Sequence, residues 1–329
     1  MRKGFVFGKF LPFHMGHKAM MEFALTHCEK LFVVVCGSDK ETLAAEARAS
    51  WIRDTFSPNT SIEVITFDYK EDLLPNTSVS SREVSAVWAK AFQALLPDTD
   101  LLVTSEPYGE YVADYMGIRH IPFDPQRVHQ PISATSIRED IFRHWDFLPD
   151  AVKRHYQQKV VVLGTECTGK TTISETAAQL MSTSWVEEAG RKIVENSNHF
   201  TVDHLYLIAA EHARLIREAE QELKPLILID TDIHITQSYA KYEFGSYLDV
   251  PDSIYQTNKA NLYCYLTRDL PFEQDGTRLD ETYRNKLDEF HRATIKKFGI
   301  QVTEIGGTWE KRLERFMQKI KTHCVHHIQ

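Results

Sequence analysis

The stretch that decides the fold is Lys159-Val160-Val161-Val162-Leu163-Gly164-Thr165-Glu166-Cys167-Thr168-Gly169-Lys170-Thr171-Thr172. Its aliphatic run is too short for a helix and lacks polar alternation, as a strand covered on both faces would. The run then breaks into G-x-x-x-x-G-K-T, and a helical stretch follows. A glycine-rich turn between strand and helix presents backbone N–H groups at the positive end of the helix dipole, which suits a polyphosphate. Gly164, Thr165, Glu166, Cys167, Thr168, Gly169, Thr171 and Thr172 are therefore expected to line an ATP site. Lys170 is expected to bridge the β- and γ-phosphates, and the Thr171 hydroxyl to hold Mg²⁺.

The sequence downstream completes that site. An apolar strand, Leu226–Asp230, ends in a carboxylate at the sheet edge where ligands bind in such folds, so Asp230 is the expected second Mg²⁺ ligand. Asp232 competes for that role and also reads as the N-cap of the next helix. After a strand at 184–187 come Glu188 and Arg191, a carboxylate placed to accept a proton and an arginine placed to bind substrate. The segment after a strand at 262–267 contains Asp275, Gly276 and Arg278 and reads as a lid with a glycine hinge. An arginine there can stabilise a phosphoryl group in transfer; the plainer reading is a surface loop.

A different motif opens the chain. Gly8-Lys9-Phe10-Leu11-Pro12-Phe13-His14-Met15-Gly16-His17 follows an apolar strand and runs into a helix. Gly8 is read as letting a substrate approach the backbone. Lys9, Phe10, His14 and His17 fall near the helix N-terminus, where an anion is favoured. Further on, Ile132-Ser133-Ala134-Thr135-Ser136-Ile137-Arg138 opens another helix. Ser133 and Thr135 can donate to phosphate with Arg138 beside them; capping with a solvated arginine is the alternative.

Strands are read near 4–10, 31–36, 61–66, 100–104 and 119–121, alternating with helical stretches, and a second cycle uses 159–164, 184–187, 226–230, 262–267 and 301–305. That order predicts an α/β protein with two doubly wound parallel-sheet domains, residues 1–150 and 158–329. The polar stretch 148–158, with Pro149, is the expected linker.

Composition narrows the function. With 329 residues and a net charge of −8, the chain has the wrong sign to coat nucleic acid, and no apolar run matches a membrane span. Its five cysteines lack C-x-x-C spacing, which points to a reducing cytoplasm rather than a disulfide framework or zinc site. The tail residues His323, Cys324, His326 and His327 are soft ligands with no second cluster to complete a site.

G-x-F-x-P-x-H-x-G-H together with I-S-x-T-x-I-R resembles the nucleotidylyltransferase superfamily, and the lysine at Lys9 is similar to the NadR-type nicotinamide-nucleotide adenylyltransferases. The second half resembles the ribosylnicotinamide kinase domain of the same proteins, one of the small P-loop kinases. By that resemblance a Rossmann-like nucleotidylyltransferase domain precedes a P-loop kinase domain. The kinase would convert nicotinamide riboside to nicotinamide mononucleotide, and the first domain would join that product to AMP from ATP, giving NAD and pyrophosphate. His14 and His17 would hold ATP phosphates, Arg138 the departing pyrophosphate, and Mg²⁺ would assist. Trp88 can stack on a nicotinamide ring, though a tryptophan on a helix also reads as core. The enterobacterial members carry an N-terminal helix-turn-helix. Here the first strand is read to begin near Gly4, so sequence-specific DNA binding is not expected. A nucleotide-sensing regulator with slow turnover is the competing reading, and an assembly of identical chains stays open.

Overall fold

The computed structural model describes residues 1–75, 81–126, 128, 131–194, 200–269 and 281–326. The chain divides into two compact units, Met1–His155 and Tyr156–Gln329.

The first unit alternates strand and helix: β1 (Lys3–Gly8), α1 (Met15–Leu25), β2 (Lys30–Ser38), α2 (Ala45–Phe56), β3 (Ile62–Tyr69), α3 (Arg82–Leu95), β4 (Leu101–Thr104), α4 (Tyr108–Met116) and β5 (Arg119–Pro122). Then come α5 (Ala134–Glu139) and α6 (Asp150–Tyr156). All five strands run parallel, in the order β3-β2-β1-β4-β5. The chain builds outward from β1 on one side and then crosses to the other. That reversal opens a crevice at the carboxyl ends of β1 and β4. Phe5, Val34, Phe92 and Leu102 form the core beneath it, with Phe7 and Trp88 packed alongside.

The second unit contains β6 (Gln158–Leu163), α7 (Lys170–Met181), β7 (Ser184–Val186), α8 (Gly190–Ile193), α9 (Val202–Gln221) and β8 (Leu226–Asp230). It continues with α10 (Ile233–Phe244), α11 (Asp252–Asn258), β9 (Leu262–Leu266), α12 (Glu281–Lys297), β10 (Thr303–Ile305) and α13 (Trp309–His326). Its strands are also parallel, ordered β10-β9-β6-β8-β7, so the switch point lies at β6. Val160, Val161, Val162 and Leu163 on that central strand are wholly buried. Each such side chain contributes about 1.5–3 kcal/mol. No helix among the described residues is long and apolar enough to cross a membrane.

The expected fold, two parallel-sheet α/β domains, is the observed one, and every expected strand is present. Two expectations need correction. The first strand was expected to run to Phe10 but stops at Gly8, because Phe10 adopts a left-handed φ of 49° that no strand accommodates. The expected linker is largely helical: α6 begins directly after Pro149, whose carbonyl accepts from the Val152 N–H at 2.9 Å. A proline at the start of a helix loses no donor the helix needs, so it begins this one rather than breaking it. Ala151 and Val152 are buried, which ties that segment to the fold.

In the second unit α10 and α12 pack around a buried histidine. His291 Nδ1 lies 2.8 Å from the Ser238 hydroxyl, and Nε2 has no partner among the described residues. Burial, helped by the nearby Lys170 charge, pushes its pKa down from 6.5 to about 3. Between those values the unfolded chain binds the extra proton, so stability falls as pH falls through the window. This group alone contributes a slope of up to about 1.4 kcal/mol per pH unit. His291→Asn should therefore flatten the acid limb when urea unfolding is followed from pH 7 to pH 4. An acid limb as steep as the parent's would contradict the assignment.

Candidate nucleotide sites

The first site is built where β1 turns into α1. Phe10 is only 2% exposed, with its ring edge-on to His17 at 5.0 Å and 6.4 Å from Phe13. A Cβ on Gly8 would stand 3.3 Å from the Phe10 ring. The small residue therefore leaves room for that ring beside the loop.

His14 is extended, at φ −140°, and caps α1: its Nδ1 accepts from the Gly16 N–H at 3.1 Å. With Nδ1 accepting, the hydrogen of the neutral ring belongs on Nε2, a donor suited to an anion. His17 stacks over it at 3.7 Å between centroids and 26° between planes. The two imidazoles expected to act together are thus in contact.

Arg138 joins them from 127 residues further along the chain. It donates to the Leu11 carbonyl at 2.5 Å and to the Thr135 hydroxyl at 3.1 Å. The two motifs of the first half therefore meet at one loop. Ser133 and Ser136 cap α5 reciprocally, each side-chain oxygen accepting from the other's backbone N–H at 3.1 and 3.2 Å. The serines cap the helix, and the arginine reaches the loop after β1. Lys9 places its ammonium 2.8 Å from Glu41 and 3.9 Å from Glu71.

Trp88 packs edge-on to Tyr69 at 4.9 Å and 5.5 Å from Phe92, and its indole N–H donates to the Pro75 carbonyl at 3.1 Å. It is partly buried against the core of the first unit.

The second site lies at the end of β6. Gly164, at φ 146°, is hemmed in: a Cβ there would meet the Thr168 hydroxyl at 2.8 Å and the Leu266 carbonyl at 3.0 Å. Gly169 is also left-handed, at φ 84°, and begins α7. Lys170 lies back across the loop and donates to the Thr165 carbonyl at 3.1 Å. Three of the expected residues form one chain beside it. Arg191 donates to the Thr171 hydroxyl at 2.9 Å, and Thr171 donates to Asp230 at 2.5 Å. Glu188 pairs with Arg191 at 3.3 Å.

Asp230 is wholly buried. Burial raises its pKa against the pull of Lys170, and Glu188 raises it further. A buried carboxylate and a hydroxyl, both hard oxygen donors within reach of one another, fit Mg²⁺. Asp232 is excluded from that role by its partners. It caps α10 through the backbone N–H groups of His234 and Ile235 at 2.9 and 3.4 Å, and its other oxygen holds His234 Nδ1 at 2.5 Å. Between the two aspartates Thr231 sits at φ 72°, a strained value for a β-branched residue. That kink sends Asp230 to the loop and Asp232 to the helix.

Asp275 and Arg278 lie outside the described residues. Cys324 is buried, and burial pushes its thiol up to about 12; His327 of the same tail lies outside the described residues.

Two site residues escaped the sequence reading. Arg48 on α2 is 0% exposed and donates to the carbonyls of Lys9 at 2.5 Å and Cys36 at 3.1 Å; Glu41 lies 2.6 Å away. Arg312 on α13 is also 0% exposed. It donates to the carbonyls of Thr168 at 2.7 Å, Thr267 at 2.8 Å and Gly307 at 2.8 Å, and pairs with Asp269. An arginine in a charged helix reads as solvated. The small neighbours Ala44, Ala45, Ala47 and Ala49 were a usable signal that Arg48 could sink inward.

Gly164→Ala should destabilise the second unit by about 1–3 kcal/mol or more, because the added methyl meets a backbone oxygen and the φ is unfavourable. Equilibrium denaturation checks this, and a change under 0.5 kcal/mol (roughly the surface average) would show that the loop relaxes freely.

Comparisons with known proteins bear on both units. Residues 159–312 match the model of an AAA domain family. The chain is 27% identical over 300 residues to the trifunctional NAD biosynthesis/regulator protein NadR of Escherichia coli, a match covering 84% of this chain and 71% of that protein. It is 24% identical over 144 residues to the nicotinamide-nucleotide adenylyltransferase of Methanocorpusculum labreanum, covering 43% of this chain and 80% of that enzyme. Among solved structures, a NadR protein in complex with NR superposes with a TM-score of 0.67 at 21% identity, over 100% of this chain and 97% of the other. A NadR protein in complex with NAD and AMP-PNP superposes at 0.66, with the same identity and coverage. The chain is thus similar in sequence to the NadR proteins, and its two units share their fold.

Proposed function

We propose that the chain makes NAD from nicotinamide riboside in two ATP-dependent steps, one on each unit. The observation that carries this reading is the pairing of two unlike phosphate loops, each at the switch point of its own sheet. The relatives add the substrate class, since their names and bound ligands are NAD, NR and an ATP analogue.

On the second unit the 5′-hydroxyl of the riboside attacks the γ-phosphorus of ATP. The new bond is hydroxyl oxygen to phosphorus, the bond to the β-phosphate oxygen breaks, and ADP leaves. Glu188 accepts the hydroxyl proton, Arg191 holds the substrate, and Lys170 follows the charge as it moves onto the β-phosphate. Thr171 and Asp230 would hold Mg²⁺, which neutralises charge on the β- and γ-phosphates.

On the first unit a phosphate oxygen of the mononucleotide attacks the α-phosphorus of a second ATP, and pyrophosphate leaves. No covalent enzyme intermediate is needed, so catalysis is alignment plus charge neutralisation. The His14 Nε2–H, His17, Lys9 and Arg138 supply donors along the triphosphate.

The name of the Escherichia coli relative also carries the word regulator, which favours a second reading: a unit that binds NAD or ATP and turns over slowly. Turnover rates separate the two. Lys170→Ala should cut riboside phosphorylation about 100-fold or more while conversion of the mononucleotide to NAD continues. His17→Ala should show the opposite selectivity. Loss of both steps in either folded variant would sink the two-site scheme.

A further inference from the structure

The two largest wholly buried side chains among the described residues are both arginines, Arg48 and Arg312, one in each unit. A buried guanidinium is expensive to desolvate and persists only where its donors are well used. Both spend theirs in the same way. Arg48 donates to the carbonyl of Lys9, in the loop between β1 and α1, and to that of Cys36 on the neighbouring strand β2. Arg312 donates to the carbonyl of Thr168, in the loop between β6 and α7, and to that of Thr267 just past the neighbouring strand β9. Each has one carboxylate partner, Glu41 and Asp269 respectively.

The consequence follows from the planarity of the peptide. In a trans peptide the C=O and the N–H point in opposite directions. Pulling the Thr168 carbonyl toward the buried Arg312 therefore turns the Gly169 N–H the other way, out of the loop. The Lys9 carbonyl and the Phe10 N–H stand in the same relation to Arg48. These are N–H groups of the kind that cradle an anion in such loops.

We propose that Arg48 and Arg312 are positioning residues, each fixing one peptide of its unit's phosphate loop so that the next N–H faces the nucleotide phosphates. The proposal rests on the reading of both loops as ATP sites, and it adds an agent that preorganises them from the core side. The guanidinium fork is essential to it, because one ammonium cannot serve two or three carbonyls on different segments.

The test uses Arg48→Lys and Arg312→Lys in the full chain, which keep the charge and the carboxylate pair but lose the fork. In Arg312→Lys the KM for ATP in riboside phosphorylation should rise about tenfold, the KM for the riboside should change less than twofold, and NAD formation from the mononucleotide should be unaffected. Arg48→Lys should raise the ATP KM of the adenylyl step alone. A purely structural role would instead leave both KM values alone or move ATP and co-substrate equally, and either result overturns the proposal. Asp269→Asn, which leaves all three carbonyl bonds of Arg312 in place, keeps the question open to test should a lysine variant fail to fold. An ATP KM within threefold of the parent's supports the fork as the working part. A tenfold rise would assign the effect to the ion pair and overturn the proposal. Should the parent chain turn over neither substrate, the enzymatic reading fails separately; affinity for AMP-PNP, expected to fall about tenfold in Arg312→Lys, still decides the positioning role.

Discussion

A loop that binds polyphosphate must hold several backbone N–H groups pointing at empty space, without letting them find partners in the protein. That constraint organises both units. A parallel sheet meets it because each strand ends at the same edge, and the helix that follows begins there with unsatisfied N–H groups. The switch point then guarantees that no crossing connection fills the crevice. What the sheet cannot do is set the loop's own peptides. Here residues in left-handed conformations, Phe10 in one loop and Cys167 and Gly169 in the other, bend the chain. Arginines reaching in from helices distant in sequence hold the carbonyls: Arg48 and Arg138 in the first unit, Arg312 in the second.

The same constraint explains what could be read in the sequence. The strands and their order in the chain were legible, because the central strands, buried on both faces, are short continuous apolar runs that recur between longer amphipathic stretches. The motif residues were legible in part: His14 with His17 and Glu188 with Arg191 come together as their spacing suggested. Thr171 meets Asp230 because Thr171 follows β6 and Asp230 ends β8, its neighbour in the sheet. The errors were local. At Gly8 the glycine alone records only that a Cβ is disfavoured, and that the neighbour it would meet is the Phe10 ring is a tertiary fact. Pro149 was taken for a break because its sequence neighbourhood does not say on which side of it the helix lies. Arg312 was invisible, and Arg48 was marked only by its alanine neighbours, because burial of a charge is a tertiary fact, decided by carbonyls on loops far along the chain.

Asp230 and Asp232 show how a small backbone feature settles an ambiguity that side-chain chemistry cannot. The two carboxylates are identical in type and separated by one residue, so either could have faced the loop. Thr231 takes an unfavourable left-handed conformation, and the cost, of order 1–3 kcal/mol, has to be met by the surrounding contacts. Its N–H is anchored on the Val162 carbonyl at 3.0 Å, and Asp232 is held by two backbone N–H groups of α10. Those bonds keep the kink, and the kink aims Asp230 at Thr171.

Charge at both sites is arranged on a chain whose net charge is −8. The long-range field does not attract an anion, so attraction has to be local. The cations at the two sites are engaged at short range: Lys9 with Glu41, Arg191 with Glu188, and Lys170 with a loop carbonyl. Holding a long side chain beside its site limits the conformational entropy that ligand binding must remove, roughly 2 kcal/mol for a free lysine or arginine. It also sets a threshold, because an incoming anion must outcompete a carboxylate already in place. A triphosphate, with its multiple charges, can displace such a partner where a singly charged anion cannot. On the proposed reading, the paired carboxylates would favour a multiply charged nucleotide over a singly charged anion.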